Sequence, residues 1–188
     1  MIEDYFKSYK IFTDTEIQNF IKHFEVKQVK KNDFFVKQGA TCNKVAYVNN
    51  GVFRSFTSSQ NGENTSCCFR FPHKLMTAYS AFISNNTSQE SIQAICDAEI
   101  LVIDKNKLEE LGKENYKWLL FSKTIAEEEY LELEQRIFQL QSKSALQKYN
   151  QLLLDQPEYI QQIPLHYLAS YLGITQRHLS RIRKEVTF

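Results

Sequence analysis

From about Tyr116 the chain reaches Pro157 with no proline or glycine in between, and this stretch predicts one long helix. Two apolar stripes run along this helix. One is a main seam, and the other consists of Leu131, Phe138 and Ala145, which repeat every seven residues on a neighbouring face. Because two stripes need two surfaces, we expect one to pack on the rest of the chain and the other on a partner helix. The alternative is one amphipathic helix packed wholly within its own chain. The main seam alternates at spacings of four and three, as in a heptad repeat: Ala126, Tyr130, Leu133, Ile137, Leu140 and Ser144.

The residues before this helix have a different apolar period, which changes to two from about Val26. Short β-type runs follow at 34–36, 45–48, 52–56, 67–71 and 100–103. Asn50-Gly51 and Asn61-Gly62 lie between such runs, and Asn-Gly is the strongest short hairpin signal. Several short strands separated by turns predict a compact antiparallel barrel or jelly roll.

Two short helices are predicted at the borders of this β-rich part. Thr13 and Glu16 form a capping box before an amphipathic helix. The inner face of that helix is expected to consist of four apolar residues: Ile17, Phe20, Ile21 and Phe24. Asp104 is expected to cap a second helix, which Gly112 would end.

The last residues, from Ile163 to Phe188, predict two helices joined by a tight turn. Gly173 follows the first helix, where a left-handed C-terminal residue is wanted, and Thr175 can cap the second helix. This is the pattern of a helix-turn-helix, whose second helix enters the major groove of DNA. Its inner positions are apolar or small: Leu168, Ala169, Leu172, Leu179, Ile182 and Val186. The alternative is a plain helical hairpin that never touches DNA.

The outer face of the second helix favours the DNA-binding reading. Four cations, Arg177, Arg181, Arg183 and Lys184, outweigh the single acid Glu185, although the whole chain carries a net charge of only +1. Arginine can bind guanine edges through two hydrogen bonds, glutamine can read adenine, and the other polar groups can hold phosphate. The predicted DNA-binding residues are Thr175, Gln176, Arg177, Ser180, Arg181, Arg183 and Lys184.

Composition and motifs argue against several other classes. No apolar run approaches the ~18 residues that span a bilayer, so a cytoplasmic chain without membrane contact is predicted. The four cysteines lack metal-site spacing, and we expect reduced, mostly buried thiols with no metal and no cofactor. No catalytic triad, Walker loop or clustered His and Glu pattern is present, which predicts that the chain is not an enzyme. Five glutamates of the long helix are interpreted as a solvated face: Glu127, Glu128, Glu129, Glu132 and Glu134.

The order of barrel, long helix and terminal helix-turn-helix resembles the cyclic-AMP receptor and Fnr (Crp/Fnr) family of bacterial transcription regulators over nearly the whole chain. Gly39, Gly51 and Gly62 sit where that family's roll has its turn glycines. The resemblance implies an α+β fold with a cyclic-nucleotide-binding-like β-roll (jelly roll) as sensor domain at 1–115. A dimerisation helix at 116–145 and a helix-turn-helix DNA-binding domain at 146–188 follow. It also implies a homodimer on a two-fold symmetric operator, with recognition helices about one DNA turn (~34 Å) apart.

The sequence departs from the family pattern in two places. Where nucleotide-binding members have their ribose and phosphate contacts, this chain has Ala78-Tyr79 and Ser88-Gln89, and no arginine lies between Arg70 and Arg136. We therefore expect no response to cyclic AMP. The pocket is expected either to hold an unknown uncharged or cationic effector or to be a closed aromatic core. The candidate effector residues are Tyr79, Phe82, Ser88 and Gln89.

The second departure is at the C-terminal end. The chain ends at Phe188, so we expect a short branch of the family that lacks the C-terminal wing hairpin and binds DNA with lower non-specific affinity. A non-DNA-binding dimer that senses a small molecule and keeps a degenerate helix-turn-helix is the alternative function. Its expected sign would be outward acids on the second helix, and none occurs before Glu185.

Overall fold

A computed structural model describes residues 1–186 and arranges their strands in two four-stranded antiparallel sheets. The strands are β1 (Glu25–Val29), β2 (Phe34–Val36), β3 (Lys44–Asn50), β4 (Phe53–Ser58), β5 (Asn64–Arg70), β6 (Leu75–Met76), β7 (Ser91–Ala94) and β8 (Ala98–Asp104). The first sheet has the order β1-β8-β3-β6, and the second has the order β2-β7-β4-β5. The predicted antiparallel roll is confirmed, with β1 and β6 as the edge strands of the first sheet and β2 and β5 as those of the second.

The space between the two sheets is filled by apolar side chains. Ala46, Val48, Phe53, Ala94 and Ile100 are all almost completely buried there. Small residues at several of these positions let the two sheets approach closely, as close packing of the interior requires. The roll interior is therefore a closed core, although only one of its fully buried members, Phe53, is aromatic.

The two Asn-Gly pairs have different roles. Asn61-Gly62 lies between β4 and β5, which pair as the predicted hairpin. The hairpin expected at Asn50-Gly51 is wrong, because β3 and β4 belong to different sheets and the chain crosses between them at this point. Gly51 has φ +90°, and a Cβ there would lie 2.7 Å from Ala98 Cα and 2.9 Å from Asp97 O. Only glycine fits this crossing.

Nine helices surround the roll within residues 1–186. They are α1 (Ile2–Ser8), α2 (Asp14–Ile21), α3 (Tyr79–Ser84), α4 (Lys105–Glu114), α5 (Tyr116–Ser142), α6 (Ala145–Asp155), α7 (Pro157–Gln162), α8 (Leu165–Leu172) and α9 (Gln176–Val186). Among these described helices, none combines the length and the apolar character needed to cross a membrane. The predicted end of α4 at Gly112 is wrong, since the helix continues to Glu114.

The N-terminal helices close one side of the roll through aromatic contacts. The predicted capping box of α2 is confirmed, because the Thr13 hydroxyl accepts from the Glu16 N–H and the Glu16 carboxylate accepts from the Thr13 N–H. Behind it, Phe20 lies 3.9 Å from Trp118 and 4.9 Å from Phe6 between ring centroids. This cluster fixes the start of α5 against α1 and α2.

The predicted long helix is formed, but it ends at Ser142. Ser144 begins α6 instead, because its hydroxyl accepts from the Gln147 N–H while the Gln147 amide oxygen accepts from the Ser144 N–H. Ser144 therefore lies outside the helix that carries the rest of the seam. A capping box interrupts the helical run here without any proline or glycine.

Candidate functional site

Helices α8 and α9 pack against each other through a small apolar core. Its most buried members are Leu168, Ala169, Leu172, Leu179 and Ile182. Between the helices, the backbone N–H of the left-handed Gly173 donates to the last carbonyls of α8, and the Thr175 hydroxyl accepts from the His178 N–H at 3.2 Å. The turn at Gly173, the Thr175 cap and the burial of Leu179 and Ile182 follow the prediction, whereas the predicted inner position Val186 is wrong, because it is 36% exposed at the end of α9.

The predicted DNA-binding residues divide into three groups on α9. At 100° per residue, Arg177, Ser180, Arg181 and Lys184 lie opposite the buried Leu179 and Ile182, and the three cations are exposed. Gln176 and Arg183 are seven residues apart and lie together on one flank of this outward face. The Thr175 hydroxyl is engaged as the helix cap, and the Ser180 hydroxyl donates to the Gln176 carbonyl at 3.0 Å.

Helix α8 is attached to the exposed edge of β5 by serine side chains. The Ser66 N–H donates to the Ser170 hydroxyl at 2.9 Å, and that hydroxyl donates to the Asn64 carbonyl at 3.0 Å. The Ser66 hydroxyl donates to the Tyr167 carbonyl at 3.1 Å. These bonds satisfy edge groups of β5 that would otherwise face solvent. They also fix the orientation of the α8–α9 pair relative to the roll.

A buried arginine strengthens the same interface. Arg54 is only 3% exposed, and its guanidinium lies 4.4 Å from the Phe56 ring centroid and 4.0 Å from that of Tyr167. Its Nε donates to the Ser66 hydroxyl at 2.9 Å. A guanidinium between two aromatic faces is a favourable cation–π arrangement when it is desolvated. Nothing in the sequence identifies Arg54, because the contact that joins it to α8 is made with Tyr167, 113 positions later in the chain.

Helix α5 contacts the roll and α8 through charged groups that the sequence interpretation missed. Arg70 donates to both carboxylate oxygens of Glu129, at 3.0 and 2.7 Å, and lies 3.6 Å from Glu132. Arg136 lies 3.7 Å from the Tyr171 ring centroid and donates to the Tyr171 carbonyl. The interpretation of the glutamates as a solvated face is therefore wrong for Glu129, which is partly buried against Arg70, whereas Glu132 is exposed. The feature of the sequence that could have indicated this contact was Arg70, a single charge within the apolar run of β5.

The predicted seam lies on the outside of the molecule. Tyr130 is 61% exposed, Leu133 59%, Ile137 43% and Leu140 46%, while Ala126 is half-buried. The expectation that one of the two stripes packs on the same chain is wrong, since Leu131 and Phe138 are also about 60% exposed. The contact with the roll uses a third face of the helix, which begins with Trp118 and Phe121 and continues with the charged pairs.

The four candidate effector residues do not form one site. Tyr79 and Phe82 line a cavity of about 580 Å³ outside the closed core of the roll. Ser88 is buried in a turn, where its hydroxyl donates to the Glu90 carbonyl at 2.7 Å and its N–H donates to the Ala40 carbonyl at 2.8 Å. Gln89 is exposed. These backbone hydrogen bonds hold Ser88 outside the cavity that Tyr79 and Phe82 line.

A half-buried carboxylate, that of Glu90, lies on the roll near Arg70. The Ser55 hydroxyl donates to the Glu90 carboxylate, and burial raises the pKa of Glu90 while nearby Arg70 lowers it in part. Glu129 is close enough to add repulsion. The neighbouring Cys68 thiol also has its pKa raised by burial, to about 11. The charged groups near this part of the roll therefore include the carboxylates of Glu90, Glu129 and Glu132 and one arginine that is already paired.

Comparisons with known proteins support this architecture. Residues 26–115 match the cyclic nucleotide-binding domain family. Among solved structures, FixK2 from Bradyrhizobium japonicum is similar with a TM-score of 0.78 and 16% identity, over 87% of this chain and 84% of that one. A protein from Eubacterium rectale described as a Crp/Fnr-family transcriptional regulator gives a TM-score of 0.74 and 15% identity, over 98% and 88%. The chain has the Crp/Fnr architecture.

A third Crp/Fnr-like structure extends the comparison over a wide part of both chains. The c-di-GMP responsive global regulator CLP from Xanthomonas campestris gives a TM-score of 0.73 and 14% identity, over 93% of this chain and 92% of that one. No curated protein matches the sequence at a significant level. The resemblance to Crp/Fnr regulators is confirmed, and at these identities it carries the fold while the roles of single residues depend on their geometry here.

Proposed function

We propose that the chain is a DNA-binding transcriptional regulator that acts as a homodimer on a two-fold symmetric operator. The observation that carries this proposal is α9, whose buried face holds Leu179 and Ile182 while its opposite face presents Arg177, Arg181 and Lys184 to solvent. A basic face on the second helix of such a pair fits a recognition helix in the major groove. The proposed domains keep the boundaries 1–115, 116–145 and 146–188, of which the last two residues lie outside the described part.

Each residue on α9 has a proposed contact. Gln176, Arg177 and Arg181 read base edges, with Arg177 near the centre of the outward face. Lys184, Arg183 and Ser180 hold the DNA backbone. Thr175 contributes mainly through the helix cap, because its hydroxyl already accepts from His178.

The dimer would form along the exposed seam of α5. Leu119 lies seven residues before Ala126 and is 70% exposed, so it extends the predicted seam toward the start of the helix. Long exposed apolar side chains at heptad spacing are typical of a coiled-coil interface. Two copies joined in this way would present their α9 helices on one side of the dimer, as a two-fold symmetric operator requires.

The charged groups between the roll and α5 disfavour binding of the phosphate of cyclic AMP. The cation near its expected place, Arg70, already donates from Nη2 to both carboxylate oxygens of Glu129, and Glu90 and Glu129 would repel a phosphate. Charge-assisted bonds are roughly twice as strong as neutral ones, so a phosphate without a free cation loses most of its anchoring. We therefore propose that the regulator acts without cyclic AMP. We also propose that it acts in the cytoplasm and has no catalytic activity.

The test is selection of genomic DNA fragments by the purified protein, followed by sequencing of the retained fragments. An enriched inverted repeat is expected. Arg177→Ala should weaken binding by about 1–3 kcal/mol and relax the sequence preference at one position in each half-site. Lys31→Ala removes an exposed charge on the roll and should leave the preference unchanged. No retention at low salt would contradict DNA binding and favour the alternative, a small-molecule-sensing dimer with a degenerate helix-turn-helix.

A further inference from the structure

A large cavity lies between the roll and the long helix, away from α9. Its volume is about 580 Å³, and its walls come from β6, α3, α4 and the first half of α5. Pockets of roughly 300–1,000 Å³ hold small organic ligands. Natural interiors are close-packed, so a recess of this size is unlike an ordinary packing defect.

The walls of this cavity are mainly aromatic and aliphatic. Tyr79 and Phe82 of α3 face Trp118 and Phe121 of α5 across it, and Leu108 of α4 contributes a further apolar surface. Phe121 and Trp118 are almost fully buried, which makes the recess concave. Aromatic walls offer both faces and edges to a flat ring system.

The charged groups at the cavity are already neutralised or bonded. Arg70 is paired with Glu129, and the Lys105 ammonium donates to the Phe82 carbonyl and to Asn85 Oδ1 at 2.7 Å. At the mouth, the exposed Lys113 and Glu109 have opposite signs. An ionic ligand would have to lose its hydration without gaining a dedicated partner, which is unfavourable. The charge distribution thus selects a neutral molecule.

We propose that this cavity binds a neutral, predominantly apolar small molecule that contains at least one ring. The ligand would contact α3, α4 and α5 together, and so it would tie the start of the long helix to the roll. This inference goes beyond the proposed function, because it concerns a binding site that would exist even in a chain that binds no DNA. Binding to the cavity and binding to DNA are measured separately.

The test uses two fluorescent probes with the same ring system. N-phenyl-1-naphthylamine is neutral, whereas 8-anilinonaphthalene-1-sulfonate carries an added sulfonate. Trp118 is the only tryptophan in the chain and lines the cavity, so its emission reports occupancy directly. We expect the neutral probe to quench Trp118 saturably with one site per chain, and to bind at least tenfold more tightly than the sulfonate. Equal affinities, or non-saturable quenching, would overturn the proposal.

Matched substitutions locate the site. Leu108→Phe and Ile125→Phe each add bulk to the lining and should weaken the neutral probe at least threefold, with unchanged circular dichroism. Leu120→Phe places the same side chain on an exposed position of α5 outside the lining and should leave probe affinity unchanged. Loss of affinity in all three variants, or in none, would contradict binding in this cavity.

A partner segment is the competing occupant, since Leu119 of the proposed seam lies at the edge of the cavity. The neutral probe is therefore also titrated into Leu133→Arg, a variant designed to be monomeric. Equal affinity in the wild type and in this variant supports a small-molecule site. Binding that occurs only in the variant would show that the partner chain fills the cavity and would overturn the proposal.

Discussion

The two halves of α5 contact the rest of the molecule by opposite means. In residues 116–125, Trp118 is 8% exposed and Phe121 is 6% exposed, and both pack in the aromatic cluster of α1 and α2. In residues 126–142 no side chain is buried, and the contacts with the roll and α8 depend on Glu129, Glu132 and Arg136. The large apolar side chains of this second half point away from the molecule.

The buried side chains of the first half stabilise their own chain, whereas the exposed apolar side chains of the second half are available for contact with a second chain. Burial of a large apolar side chain contributes roughly 1.5–3 kcal/mol, whereas a solvent-exposed ion pair contributes roughly 0–1 kcal/mol. The first half of α5 is therefore fixed by the core of its own chain. The second half is oriented by charged contacts, and its apolar seam is exposed on the single chain, where we propose that a partner helix covers it.

The largest expected effect comes from removing the aromatic anchor of the first half. Trp118→Ala should lower the free energy of unfolding by about 3–5 kcal/mol, because it leaves a cavity between Phe12, Phe20 and Phe121. Urea unfolding followed by circular dichroism measures this. Leu120→Ala, at an exposed position two residues later, should cost less than about 1 kcal/mol. Similar losses of unfolding free energy in Trp118→Ala and Leu120→Ala would show that the buried aromatic contact does not fix the first half of α5.

A charge in the second half should act on association instead of folding. Leu133→Arg places a cation on the seam and is expected to weaken the dimer by about 2 kcal/mol or more, roughly 30-fold, while the monomer stays folded. Sedimentation equilibrium measures the dissociation constant. Leu131→Arg carries the same change on the neighbouring stripe, which is equally exposed, and should leave the dissociation constant unchanged. Equal effects of both variants would exclude the Ala126–Leu140 seam as the interface.

The contact between α5 and α8 should have an intermediate effect. Arg136→Ala removes the stack on Tyr171 and the bond to its carbonyl, and it should lower the free energy of unfolding by about 1–2 kcal/mol. Arg136→Lys keeps the charge but loses the planar group, so it should recover less than half of this loss. Hydrogen exchange should show faster opening of α8 in the alanine variant. Unchanged protection of α8 would show that Arg136 does not hold the two helices together.

The smallest effect concerns the ion pair between Glu16 of α2 and Lys117 in the first half of α5. Glu16 accepts from the Lys117 ammonium at 2.7 Å, and this bond, with the backbone bond from Thr13, lowers the pKa of Glu16 from 4.5 to about 2. A carboxyl with a lowered folded pKa stabilises the protein above pH 4.5 and loses that contribution as the pH falls toward 2.

Glu16→Gln should therefore flatten the acid limb of stability between pH 4.5 and pH 2. Thermal unfolding at several pH values in this window gives the slope for each protein. Glu25→Gln, which removes an exposed carboxylate on β1, is the matched control. Identical slopes for the wild type and Glu16→Gln would show that the Lys117 contact does not stabilise the folded state.

Local sequence rules predicted much of the fold because their signals lie within a few residues. The Thr13 capping box, the turn at Gly173 and the burial of Leu179 and Ile182 in α9 formed as expected, while Val186 at the end of α9 is exposed. The box at Ser144 and Gln147 has the same local signature, but the absence of proline and glycine concealed it. The Asn50-Gly51 hairpin failed because a turn signal does not say which sheet the next strand joins.

Contacts between distant residues could not be predicted in the same way. Arg70 and Glu129 are 59 positions apart, and Arg54 and Tyr167 come from opposite ends of the chain. The candidate effector set was split for the same reason, because the Gly39 N–H donates to the Ser88 carbonyl and the Ser88 N–H donates to the Ala40 carbonyl, and Ser88 does not line the cavity of Tyr79 and Phe82. Pairings of this kind are set by the topology of the roll and not by spacing along the chain.

The most direct test of the central claim is binding to the selected inverted repeat compared with a single half-site, measured by fluorescence anisotropy. The wild type and Leu131→Arg should bind the inverted repeat as two chains per duplex, and at least tenfold more tightly than the half-site. Leu133→Arg should lose this advantage and keep the half-site affinity. If Leu133→Arg retained wild-type affinity for the inverted repeat, the seam of α5 would not be what brings the two recognition helices together.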